Sequence, residues 1–167
     1  MHDRMTAGDV KKIQDEIEHR KLVVRKEALE DVKEARAHGD LSENFEYKAA
    51  KQYKNKNESR IRYLERLLRT AILITEEAAE DEADINNMVT VFFLEDGFEE
   101  TYKLVTTVRS NSVKARISIE SPLGKAIYKH KVGEKVLVKI SDAISYFVEI
   151  KKIEPTTEEE KDEISKY

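Results

Sequence analysis

Three carboxylates fall within seven residues in the stretch Gly39-Asp40-Leu41-Ser42-Glu43-Asn44-Phe45-Glu46-Tyr47. Such a cluster supports two kinds of chemistry. Asp40 or Ser42 can cap a following helix, with Glu43 and Glu46 on its positive N-terminal end. Alternatively, Asp40 and Glu43 can hold a hard cation. They offer oxygen donors only, which suits Mg²⁺, and two carboxylates leave most of an octahedral shell to water and substrate phosphates. A segment that offers half a metal site makes sense if a partner supplies the other half. The neighbouring Leu41 and Phe45 are apolar in an otherwise polar turn.

Basic residues follow closely. Residues 48–69 carry Lys48, Lys51, Lys54, Lys56, Arg60, Arg62, Arg66 and Arg69 against Glu58 and Glu65, whereas residues 9–37 carry eight acids and eight bases. A solvated helix face paired with acids across a hairpin explains most of this. Arg36, Lys48 and Lys51, nearest the turn, could also meet phosphates. With little aromatic interleaving beyond Phe45, Tyr47 and Tyr53, stand-alone nucleic-acid binding is weak.

The elements that position these residues follow from periodicity. Residues 6–75 read as helix almost throughout, because no Pro occurs before Pro122 and apolar residues recur at 3-4 spacing. One stripe runs Val10, Ile13, Ile17, Val24, Ala28 and Ala35. The other runs Ala50, Tyr53, Asn57, Leu64, Leu67, Ala71 and Ile74, thickened by Ile61 and Leu68. Gly39 ends the first helix, so the two form an antiparallel hairpin, residues 1–75, with its acidic tip at 39–46. Leu41 and Phe45 then sit at the far end of a rod, where a monomer has little core to bury them.

Residues 76–84 contain six acids and no base, and 76–87 read as an acidic linker. The period then changes. MVTVFFL (88–94), TYKLVTT (101–107), VKARISI (113–119), KVLVKI (135–140) and ISYFVEI (144–150) are β-branched or aromatic runs, with a short helix expected from Pro122 to about Lys129. The expected class is α+β, with a C-terminal sheet domain over 88–153. Residues 154–167 hold six acids and two lysines and read as a disordered acidic tail.

Other classes are disfavoured. The 167 residues include no Cys and no Trp, so disulfides and thiolate sites are excluded and a reducing cytoplasm is the expected setting. His2, His19, His38 and His130 show no metal-ligand spacing. Apolar runs are far shorter than the ~20 residues of a bilayer helix, so no membrane partner is expected.

Gly39-Asp40-Leu41-Ser42-Glu43-Asn44, with Glu46-Tyr47 and Ala49-Ala50-Lys51, resembles the signature of the GreA/GreB family of bacterial transcript-cleavage factors. So do Arg60-Ile61 and Leu64-Glu65. In the second domain, Ile117 to Ala126 (ISIESPLGKA), followed by Val132-Gly133-Glu134, is similar to the family's C-terminal motif. The resemblance covers about residues 6–153. It implies a coiled coil that enters the secondary channel of RNA polymerase and an FKBP-like domain that docks at the channel mouth.

In that reading the protein is not itself an enzyme and has no small-molecule substrate. It stimulates the polymerase's own Mg²⁺-dependent cleavage of backtracked nascent RNA. Asp40 and Glu43 would share the second Mg²⁺ with the polymerase, with Ser42 assisting. Arg36 and Lys51 would hold the extruded RNA 3′ end, and Glu120, Ser121 and Pro122 would contact the polymerase rim. An ordinary N-cap with a first-turn Pro also explains Ser121-Pro122.

The chain departs from the family pattern in places. Phe45 replaces a common Ala, Arg25-Lys26-Glu27 replaces the usual mid-helix Arg-Pro, and the linker and tail are unusually acidic. Within the family the alternative is a Gfh-type channel-binding inhibitor without cleavage stimulation, which the intact Asp40/Glu43 pair disfavours. Prolyl isomerase activity, suggested by the FKBP-like fold alone, lacks its usual Trp.

Overall fold

The computed structural model describes residues 3–39, 43–75, 77–156 and 161–166. The chain divides into two compact units. Of the described residues, Val10–Ala71 form one, and those from 3 to 9 join those from Ile72 onward in the other.

The first unit is a helical hairpin. Helix α1 (Ala7–His19), whose first turn holds the unit boundary, passes through a π-helical turn at Arg20–Val24 into α2 (Arg25–Ala37). Helix α3 (Phe45–Arg69) returns antiparallel, as the pairing of Glu16 with Arg60, Arg25 with Glu58 and His38 with Glu46 requires. Its 25 residues span about 37 Å at about 1.5 Å per residue. Between the helices lie small or polar side chains as well as apolar ones: Ala28 and Ala35 from α2, and Asn57, Ile61, Leu64 and Leu67 from α3.

The π turn has a partner across this interface. Arg20 O accepts both the Arg25 N–H, five residues on, and Asn57 Nδ2 at 3.3 Å, while Arg20 Nη1 donates to Asn57 Oδ1 at 3.0 Å. A buried amide that answers the widened turn explains why a polar residue sits in the apolar stripe.

The second unit is built on a five-stranded sheet of β3 (Asn87–Phe93), β4 (Phe98–Val105), β5 (Arg116–Ser118), β6 (Lys135–Lys139) and β7 (Ser145–Pro155), in the order β5-β4-β3-β7-β6. Within this sheet only β4 and β5 run parallel; the other neighbours are antiparallel, with a bulge in β7 at Lys151 opposite the Thr90–Val91 step of β3. One face buries Val89, Val91, Leu104, Val136, Val138, Val148 and Ile150, together with Ile119 and Ile127. Ile127 ends helix α4 (Pro122–Ile127). Gly124 lets α4 approach the sheet, since a Cβ there would lie 1.8 Å from Ser118 O. The expected hairpin plus α+β sheet domain with one short helix is the observed class.

Three segments differ from the sequence-based division. Helix α3 ends at Arg69, and Ile72–Leu73 forms a short strand, β2, pairing in parallel with β1 (Arg4–Met5), so residues 3–9 and 72–75 of the segment 1–75 belong to the sheet unit. The described part of the acidic linker 76–87, from residue 77 on, packs on that unit: Ala83 is fully buried and exchanges backbone bonds with His130 and Lys129, and Asp81 pairs with Lys131 at 3.0 Å. The tail expected to be disordered is ordered in its described part. β7 runs on to Pro155, and Asp162 is buried against Lys103, Arg109 and Arg116. Three cations on the sheet unit outweigh the local polarity of an acidic segment.

Candidate functional site

The hairpin tip is built from the ends of α2 and α3. Helix α2 stops because His38 N–H folds back to Ala35 O at 3.2 Å and Gly39 takes φ +141°, a region favouring glycine. Helix α3 starts at Phe45 with Asn44 as its N-cap: Asn44 Oδ1 accepts Tyr47 N–H at 3.0 Å. The same side chain donates through Nδ2 to Ala35 O at 2.6 Å, tying the incoming helix end to the outgoing one. The N-cap of α3 is therefore Asn44. Sequence reasoning passes over Asn44, although Asn is among the preferred N-cap residues.

Asp40, Leu41 and Ser42 lie outside the described residues. Of the remaining tip acids, Glu46 is paired with His38 at 2.9 Å, and Glu43 stands exposed in the turn. Phe45 is 78% exposed, with Lys48 Nζ 5.6 Å from its ring centroid. Arg36 lies over the Tyr47 ring at 5.4 Å and donates to its hydroxyl at 3.3 Å. That hydrogen bond draws the Tyr47 phenol below its ordinary pKa; slight desolvation opposes it, and the charges of Arg36, Lys51 and Lys54 reinforce it. The tip thus carries a positive field beside its carboxylates.

Charges are distributed unevenly along the hairpin. Toward its base Glu16 meets Arg60 and Arg20, Lys21 meets Glu65, and Arg25 meets Glu58 through two bonds of 2.7 and 2.9 Å. Burial works against the Glu16 charge, but the hydrogen bonds from Arg60 and Arg20 outweigh it and keep that carboxyl below its ordinary value. Glu58 and Glu65 are lowered by the bonds from Arg25 and Lys21. Toward the tip, Lys48, Lys51, Lys54 and Lys56 form no ion pair with any described residue. Pairing across the hairpin therefore holds for Arg60, which is buried, and for the acids Glu58 and Glu65, and leaves Lys51 without an ion pair among the described residues.

The sheet unit carries the other candidate residues. Ser121 caps α4, its hydroxyl accepting Gly124 N–H at 3.1 Å and donating to Ser118 O at 2.6 Å, with Pro122 in the first turn. Glu120 receives Arg4 Nε at 2.6 Å and Nη2 at 2.5 Å, in a pair about two-fifths exposed on each side. Arg4, unsuspected from sequence, thus orients the acid of this loop from β1. Among the described residues no three His, Asp or Glu side chains converge into a metal site, and no helix is long and apolar enough to cross a membrane.

Comparison with known proteins agrees with the motifs in both units. The family model described as "Transcription elongation factor, N-terminal" matches residues 4–73, and "Transcription elongation factor, GreA/GreB, C-term" matches residues 78–155. Transcription elongation factor GreA of Geobacillus kaustophilus is 40% identical over 136 residues, covering 81% of this chain and 86% of the relative. GreA of Streptococcus thermophilus is 40% identical over 154 residues, 92% of this chain and 96% of the relative. The crystal structure of GreA factor homolog 1 from Thermus thermophilus covers 92% of this chain and 99% of its own at 22% identity, with a TM-score of 0.44. With both units matched in order and 40% identity across most of the chain, this protein belongs to the GreA/GreB family of transcription elongation factors.

Proposed function

We propose that this chain inserts its hairpin tip into the secondary channel of bacterial RNA polymerase, in the cytoplasm, and stimulates the polymerase's intrinsic cleavage of backtracked RNA. The observation that carries the reading is the division of labour at the tip. Asn44 caps α3 and Glu46 is engaged by His38, while Glu43 is exposed and forms no ion pair among the described residues. Asp40 and Glu43 have the right chemistry for Mg²⁺, being hard oxygen donors too few to complete a shell. A Mg²⁺ held between polymerase and tip supplies Lewis-acid polarisation of a phosphodiester and a water of lowered pKa.

The chain's own residues then have separate tasks. Asp40 and Glu43 hold the cation and Ser42 assists. Arg36 and Lys51 attract the phosphates of the extruded RNA 3′ end, and the positive field at Tyr47 supports that role. Glu120, Ser121 and Pro122 dock on the rim of the channel. The hydrolytic centre belongs to the polymerase, so this chain is a cleavage-stimulating factor rather than an enzyme. Adding the protein to stalled, backtracked elongation complexes tests the reading: it predicts shortened RNA and resumed elongation. Binding that blocks the channel without cleavage would replace it with the inhibitor reading.

A further inference from the structure

The match to the C-terminal family model ends at residue 155, so the segment bearing Asp162 lies beyond it, whereas Lys103, Arg109 and Arg116 lie within it. Lys103 Nζ and Arg109 Nη1 approach Asp162 Oδ2 at 2.6 and 3.1 Å, and Arg116 Nη1 approaches Oδ1 at 3.1 Å. All four side chains are more than nine-tenths buried. Arg109 also meets the buried Asp9 Oδ1 at 2.6 Å, so Asp162 is one of two carboxylates among these cations; removing it would leave Lys103 and Arg116 less well compensated, which makes the contact an anchor for the segment.

Three residues further on, Ser165 donates its N–H to Val108 O at 2.7 Å and its hydroxyl to Ser110 O at 2.8 Å. Val108 belongs to the 3₁₀ turn Thr107–Arg109, which Ser110 follows. Thr107 Oγ1 lies 2.8 Å from Ser118 Oγ. Ser118 Oγ accepts Glu120 N–H at 3.0 Å, and Ser118 O accepts the N–H of Ser121 at 3.0 Å and its hydroxyl at 2.6 Å. Polar contacts thus lead step by step from the tail to the loop.

We propose that residues 161–166 are a positioning element for the Glu120-Ser121-Pro122 surface, with Asp162 as the anchor and the Ser165–turn–Thr107–Ser118 line as the connection. This rests on the reading of that loop as a polymerase-docking surface. The segment touches no partner; it acts by fixing the backbone that presents the loop. Arg4, gripping Glu120, braces the same loop from the other end of the chain.

The test uses the full-length protein with Asp162→Asn, Thr107→Val and, as control, Glu120→Arg. Amide hydrogen exchange in the free protein reads the positioning, and titration with polymerase reads its use. Asp162→Asn should speed exchange of the Ser121 and Gly124 amides about tenfold while Val91 and Val148 in the central strands stay protected. Thr107→Val should give a smaller rise at the same two amides with the anchor intact. Both variants should bind polymerase more weakly.

Unchanged loop exchange in Thr107→Val, or exchange in Asp162→Asn that rises equally in the central strands, overturns the proposal. So does unchanged polymerase affinity in both variants while Glu120→Arg binds poorly. If Glu120→Arg itself binds like the parent, the docking reading fails instead, and the exchange rates still decide whether the tail positions the loop.

Discussion

Between α3 and the α1–α2 arm of the hairpin the buried residues are few and partly polar, and ion pairs such as Glu16–Arg60 and Arg25–Glu58 bridge the helices. In the sheet unit, Val89, Val91, Leu104, Val138, Val148 and Ile150 close an apolar core under α4, and polar bonds are spent on its loops. A two-helix hairpin has no third layer with which to enclose apolar surface, so small side chains and cross-helix ion pairs replace a core. Among the described tip residues, Glu43 and Phe45 stay exposed. Substitutions should therefore be costly to stability in the sheet unit and costly to function in the hairpin.

The largest stability effect belongs to the closed core. Leu104→Ala, at a fully buried position, should destabilise the sheet unit by about 2–5 kcal/mol, measured by denaturant unfolding. A loss well under about 1 kcal/mol would contradict a tightly packed core there.

Next is the buried anchor. Burial opposes the Asp162 charge, but the hydrogen bond from Lys103 and the charges of Lys103, Arg116 and Arg109 prevail, so its folded pKa lies below the ordinary 3.8. A group lowered by folding stabilises above its ordinary pKa and loses that contribution as pH falls through the folded value. The tail should stay seated at neutral pH and release below about pH 4. Hydrogen exchange at the Ser165 amide across that range checks it, with Asp162→Asn flat.

A smaller effect is expected at the tip. Asn44→Ala removes the cap of α3 and its tie to Ala35, at a cost of about 0.5–2 kcal/mol, whereas Asn44→Asp keeps the cap. Helicity loss confined to the residues after Asn44, followed by NMR, would localise it. Smallest of all is Glu58→Gln, which breaks a solvent-accessible pair with Arg25. Its effect should shrink as salt is raised; a salt-independent loss would mean the pair is effectively dry.

These cases also mark how much was legible in advance. The helical stripes, the turn at Gly39, the short helix after Ser121 and the five strands were readable because each is set by local periodicity or capping chemistry. The tail was not. Asp162 stands in a run of acids, and only the convergence of Lys103, Arg109 and Arg116 from three separate elements makes it a buried anchor. Arg4 and Glu120 are likewise far apart in sequence and met only through the fold. At the tip, Asp, Ser and Asn are near-equal caps by propensity, so the composition of the turn left the choice open until Asn44 was seen to bond Tyr47 and Ala35 together.

In the proposed function, Asp40 and Glu43 serve the cation rather than the hairpin. Asp40→Asn and Glu43→Gln should each fold, with parental circular dichroism and near-parental polymerase affinity. At limiting Mg²⁺ they should cleave backtracked RNA far more slowly than the parent, and raising Mg²⁺ should recover part of the loss by mass action. Cleavage by both variants at the parental rate at limiting Mg²⁺ would contradict the account and leave the carboxylates without a role in the chemistry.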